Sequence, residues 1–148
     1  AKYEAAFAVI PLLVTFIPML TDTGGNAGSQ SSTMIIRGMA VGEIEAGDIL
    51  RVLWKELRVG VIVGVLLGLV NYIQLVIRFP GQEMLCLTVV LSLLATVMLA
   101  KTIGCVLPIA AQVLHLDPAI MAAPLITTIV DAVSLIIYFQ LACSLLKI

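Results

Sequence analysis

Residues 21–33 read TDTGGNAGSQSST, one acid, three glycines and a run of small hydroxyl and amide residues. A nearly unbroken apolar stretch, residues 5–20, runs straight into them, and Met34, Ile35 and Ile36 follow. In a soluble protein such a segment would be a loop. At membrane depth, polar backbone survives only where it is buried in protein or lines a wet cavity. What surrounds the segment therefore decides how it is read.

The surroundings are those of a membrane protein. Of 148 residues, 61% are hydrophobic and only 11% charged, and mean hydropathy is +1.18. A typical soluble domain is about half apolar and a quarter charged. A net charge of −1 offers no basic surface for nucleic acid, and aromatics make up only 5% of the chain. Cys86, Cys105 and Cys143 are an odd number without CxxC spacing, and they read as small residues within apolar helices. With His115 the only histidine and no nucleophile–base pair in view, an enzyme is not expected. A cleavable signal peptide fits the start poorly, because Pro11 and Pro18 interrupt the apolar run and no cleavage site follows it.

A helix needs about 20 residues to span the hydrocarbon core. The first span, about residues 5–38, is too long for one straight crossing. Pro18 and the glycines predict a broken or kinked helix, the kind that forms ion and substrate sites. Residues 41–58 are the most charged part of the chain, and Ile49, Leu50, Leu53, Trp54 and Leu57 recur there at helical spacing. They predict a short amphipathic interfacial helix after Gly47, within a cytoplasmic amphipathic segment of about residues 43–58, with Trp54 at the headgroup level. A second span, about 59–79, places Gly60, Gly64 and Gly68 on one face for close helix packing, with Asn71 near that face to bond across it. Pro80 and Gly81 make a turn. A third span, about 84–114, carries Lys101, expected to snorkel to an interface, the alternative being that it faces the bundle interior. Asp117 and Pro118 have the form of an N-cap and first helical residue, opening a fourth span at about 119–146. The fold expected is an all-α bundle of about four transmembrane helices.

The basic residues predict an orientation. Arg37, Arg51, Lys55 and Arg58 follow the first span, and Lys101 and His115 lie toward the end of the third. The positive-inside bias puts loops 37–58 and 101–117 in the cytoplasm and the C-terminus outside. Ala1 would then begin outside, so at least one further helix is expected upstream.

Asp131 stands about a dozen residues into the fourth span with no base within helical reach. An unpaired acid there costs a few kcal/mol, so it must face a bundle interior, a partner charge such as Lys101, or a water-filled path. Pro124, Thr127, Thr128, Asp131 and Tyr138 fall on one side of that helix. In the opening segment Asp22, Gly25, Ser29 and Thr33 form a comparable small, polar stripe, and Asn26 with Gln30 an adjacent one suited to hold a neighbouring helix. Unwinding at the glycines would turn carbonyl oxygens toward a pathway, while close packing is the plainer use of GGNAG. Oxygen ligands suit hard cations. Calcium would want a cage of six to eight oxygens, whereas magnesium keeps its waters and can be held through them.

These residues resemble a known family. Residues 18–40, PMLTDTGGNAGSQSSTMIIRGMA, are similar to the second transmembrane helix of MgtE-type magnesium channels. Asp117-Pro118-Ala119, Pro124, the run TTIVD ending at Asp131, and Tyr138 resemble their last helix. The resemblance implies the pore of a homodimer in the cell membrane, passing divalent cations, chiefly Mg2+, with a hydrated ion held between two Asp131 carboxylates. It implies that Asp22, Gly25, Asn26 and Thr127 line the pore near that ion, and that Ser29, Thr33 and Ala123 form a cytoplasmic constriction. Some relatives have asparagine where Ser29 or Ala123 stands. It also implies cytoplasmic regulatory domains and a first helix upstream of Ala1. The competing reading is a proton- or sodium-coupled transporter that uses Asp131 as its coupling site. A third is a structural subunit whose polar residues only join helices.

Overall fold

The computed structural model describes residues 11–121 and 123–147. Four long helices account for most of them: α1 (Ile17–Ala40), α2 (Ile49–Arg78), α3 (Glu83–Val113) and α4 (Ala123–Leu146). Short 3-10 turns at Ala46–Asp48 and Pro118–Met121 precede α2 and α4. Among the described residues three helices are long and apolar enough to cross a membrane, Ala46–Arg78, Glu83–Val113 and Ala123–Leu146. At 24 residues α1 is long enough to cross, but it carries the polar segment. The expected first span reaches back to residue 5, and its residues 5–10 lie outside the described ones.

α3 is the centre of the bundle. It packs against α1, α2 and α4, while α1 also packs against α4. Between lipid and protein there is little hydrophobic drive to bring helices together, so close contact and hydrogen bonds must do it. Glycine supplies the contact. Gly60, Gly64 and Gly68 face α3, where an added methyl would press on Met98, Leu94 and Val90 in turn. A methyl on Gly104 would collide with the Gly28 carbonyl, so α1 and α3 touch backbone to backbone.

The first span breaks, but not at its glycines. A helical turn at 11–15 is interrupted at Phe16, and α1 restarts with Pro18 in its first turn, where a missing N–H costs nothing. The Leu13 carbonyl at the break accepts bonds from the Phe16 N–H (3.1 Å) and the buried Tyr138 hydroxyl (2.8 Å). From Ile17 to Ala40 the helix is continuous, so Gly24, Gly25 and Gly28 expose no carbonyls by unwinding. Helical bonding satisfies their backbone where nothing else would, and their missing side chains admit Thr96, Thr127, Ile126 and Val130.

Three further expectations are corrected. The amphipathic segment and the second span form one helix, α2, not two. Asn71 bonds its own helix, Nδ2 to the Leu67 carbonyl at 2.8 Å, rather than reaching across. Tyr138 lines no pathway with Asp131; it is buried with Ile126, Val130, Ser134 and Ala142 and donates its hydroxyl to the Leu13 carbonyl.

The connections are built as their residues predict. Gly42 (φ +76°) lets the chain fold back so that the Glu43 and Ile44 amides bond the Gly38 carbonyl, with Ile44 seated on Gly38 itself. His115 takes a left-handed φ of 58°, and the His115 and Leu116 amides close α3 by bonding Gln112 and Ala111. Asp117 accepts the Ala119 amide at 2.9 Å to open the next turn.

Candidate functional site

α1 and α4 lie side by side, and their polar faces line an open cavity of about 410 Å³ on the surface of the chain. Pro18, Thr21, Asp22, Gly25 and Asn26 line it from α1, Thr127 and Asp131 from α4. Five of the residues singled out in the sequence thus meet in one place. Gly25 sets the spacing: a methyl there would lie 3.1 Å from Thr127 Cγ2 and 3.8 Å from Asp131 Oδ1. Any side chain would occupy the space beside the carboxylate.

Asp131 is half-buried, and its carboxylate has no hydrogen-bond or ion-pair partner among the described residues. Its backbone carbonyl accepts from Ser134 Oγ at 2.9 Å. Thr127 and Thr128 turn their hydroxyl protons to the Pro124 carbonyl at 3.0 and 2.9 Å, and each hydroxyl oxygen keeps lone pairs for a further donor. The cavity is therefore a set of oxygens with two acids, Asp22 and Asp131, and no base. Such a wall suits a hard cation with its water shell.

Ser29, Thr33 and Ala123 lie outside this cavity. The Ser29 hydroxyl is covered and unbonded, while Thr33 and Ala123 are exposed. Asn26 and Gln30 are exposed, and their side chains make no hydrogen bond to a neighbouring helix among the described residues.

Lys101 neither snorkels nor pairs with Asp131. It is 5% exposed, and Nζ donates to Glu56 Oε2 at 3.1 Å and to Ser31 Oγ at 3.2 Å. Glu56 is 2% exposed and also accepts from Ser31 Oγ. This triad joins α1, α2 and α3, and Gly60 makes room for the lysine stem, 3.2 Å from a would-be methyl. Reading residues 41–58 as an interfacial segment hid it. The signal was present, because the four-residue ladder of Gly68, Gly64 and Gly60 continues one step back to Glu56.

Long apolar helices packed around an acid-lined polar cleft define a helical membrane protein. The family model described as a divalent cation transporter, MgtE, matches residues 17–141. The chain belongs to the MgtE family. It is 34% identical over 98% of its length to the magnesium transporter MgtE of Thermus thermophilus. It is also 34% identical over 95% of its length to that of Bacillus subtilis, and 28% over 99% to that of Enterococcus faecalis. The chain spans about a third of each relative, 32%, 31% and 32% of their lengths.

Proposed function

We propose that the chain forms the pore of a homodimeric Mg2+ channel, in which Asp131 and its dimer mate hold the hydrated ion. The observation that carries this is the base-free cavity in which Asp131 meets Asp22, Gly25, Asn26 and Thr127. Lys101, the one buried base among the described residues, is neutralised by Glu56, so the Asp131 charge is left for a cation to offset. Two carboxylates and a ring of hydroxyls hold an ion through its waters without the cage that calcium needs. Ser29, Thr33 and Ala123 would narrow the path on its cytoplasmic side, where two chains face each other. The helix ends that carry segments 37–58 and 101–117 face the cytoplasm and the C-terminus lies outside, as the exposed bases Arg37, Arg51, Lys55 and Arg58 favour. Magnesium is also the ion named for the curated relatives.

Reconstitution in liposomes tests the reading against a coupled transporter. Mg2+ uptake should follow an imposed negative-inside voltage with no proton or sodium gradient present. Uptake that requires either gradient would favour coupling at Asp131 instead.

A further inference from the structure

A second cavity, about 720 Å³, lies at the other end of α1, where the 41–48 loop meets the first turns of α2. Arg37 from α1 and Arg51, Lys55 and Arg58 from α2 line it. These three α2 residues recur at four- and three-residue steps, so they share one helix face. All four bases are exposed, and none makes an ion pair among the described residues. Three acids also line the cavity, but two of them are engaged. Glu56 is paired with Lys101, and Asp48 accepts the Glu45 amide at 3.0 Å. The amide does not neutralise Asp48, so with Glu56 paired four bases face two carboxylates, Glu43 and Asp48, and positive charge is in excess.

The cavity also has apolar walls open to the outside, from Met34 (53% exposed), Val41 (61%) and Trp54 (65%). Its depth is set by α2. After Arg58 that helix carries no charge until Arg78, so residues 59–77 are an apolar rod, about 28 Å long at 1.5 Å per residue. That matches the roughly 30 Å hydrocarbon core, which places the bases and Trp54 at headgroup level. A free phosphate would use the bases and leave the apolar walls idle. An anionic phospholipid uses both, with its phosphate on the bases and its upper acyl chains on Met34, Val41 and Trp54.

We propose that this cleft is a binding site for an anionic phospholipid headgroup. It is separate from the ion cavity and independent of the channel reading.

Trp54 is the only tryptophan, so its fluorescence reports on this site alone. The chain would be reconstituted in phosphatidylcholine, with either brominated phosphatidylglycerol or brominated phosphatidylcholine added as quencher. Brominated phosphatidylglycerol should quench Trp54 at several-fold lower mole fraction. Arg51→Gln with Lys55→Gln should reduce that preference by roughly fivefold for each base removed. Both positions are exposed, and an unchanged helical circular dichroism spectrum would confirm that the variant folds. Glu43→Gln should strengthen the preference. Equal quenching by the two lipids, or an unchanged preference in the double variant, would overturn the proposal. So would loss of the preference on adding millimolar inorganic phosphate, which would assign the site to a soluble anion. Trp54 quenched by neither lipid would mean that protein fills the cleft, and would also overturn it.

Discussion

At the scale of single residues, two glycines do different work. Gly104 faces the Gly28 carbonyl, and neither backbone can give way. Gly104→Ala should therefore cost about 1–3 kcal/mol of stability, the usual range for overpacking. Gly47→Ala is the control, because a methyl there meets nothing within 4 Å; it should stay within about 0.5 kcal/mol. Thermal unfolding in detergent, followed by circular dichroism, distinguishes the pair. Gly25 instead guards open space beside Asp131, so Gly25→Val should fill the cavity and lower Mg2+ uptake while the helices still form. The Asp131 carboxylate was legible in the sequence because it is a lone acid in an apolar span. Its neighbours were legible because four-residue spacing survives in a continuous helix. The Lys101 pairing was harder to read: the glycine ladder points back to Glu56, but an isolated lysine late in a long span does not name the helix it will meet.

Between elements, hydrogen bonds tie helices that lipid gives little reason to associate. Tyr138 reaches from α4 to the Leu13 carbonyl at the break before α1. Tyr138→Phe leaves that carbonyl with the Phe16 amide alone and should cost about 1 kcal/mol, read as a lower unfolding midpoint. The buried triad is more sensitive. Glu56→Leu alone strands a buried ammonium and should cost about 3–5 kcal/mol, whereas Glu56→Leu with Lys101→Met should recover most of it. A double-mutant cycle on unfolding midpoints measures the difference. Here the sequence misleads in an instructive way. Three glycines in five residues are ordinary helix breakers, yet 24–28 stay helical because the close approach of α3 and α4 outweighs their low propensity. The break falls at Phe16 and Pro18, where a restarting helix tolerates proline.

For the whole molecule, the arrangement separates two electrostatic tasks. The Glu56–Lys101–Ser31 triad closes its charges inside the bundle, where they hold α1, α2 and α3 in register. Asp22 and Asp131 open their charges to a cavity between α1 and α4. An all-α membrane bundle was evident from composition and from the helical spacing of its apolar and glycine residues. The division of labour was not, because it depends on which charged side chains the helices bring together. In the proposed dimer the α1–α4 face of one chain meets the same face of another, and the two cavities become one path. Voltage-driven Mg2+ flux into liposomes containing either the wild-type chain or Asp131→Ala tests this most directly. Abolished flux in a variant that still elutes as a dimer is the predicted result; wild-type flux from Asp131→Ala would contradict the account.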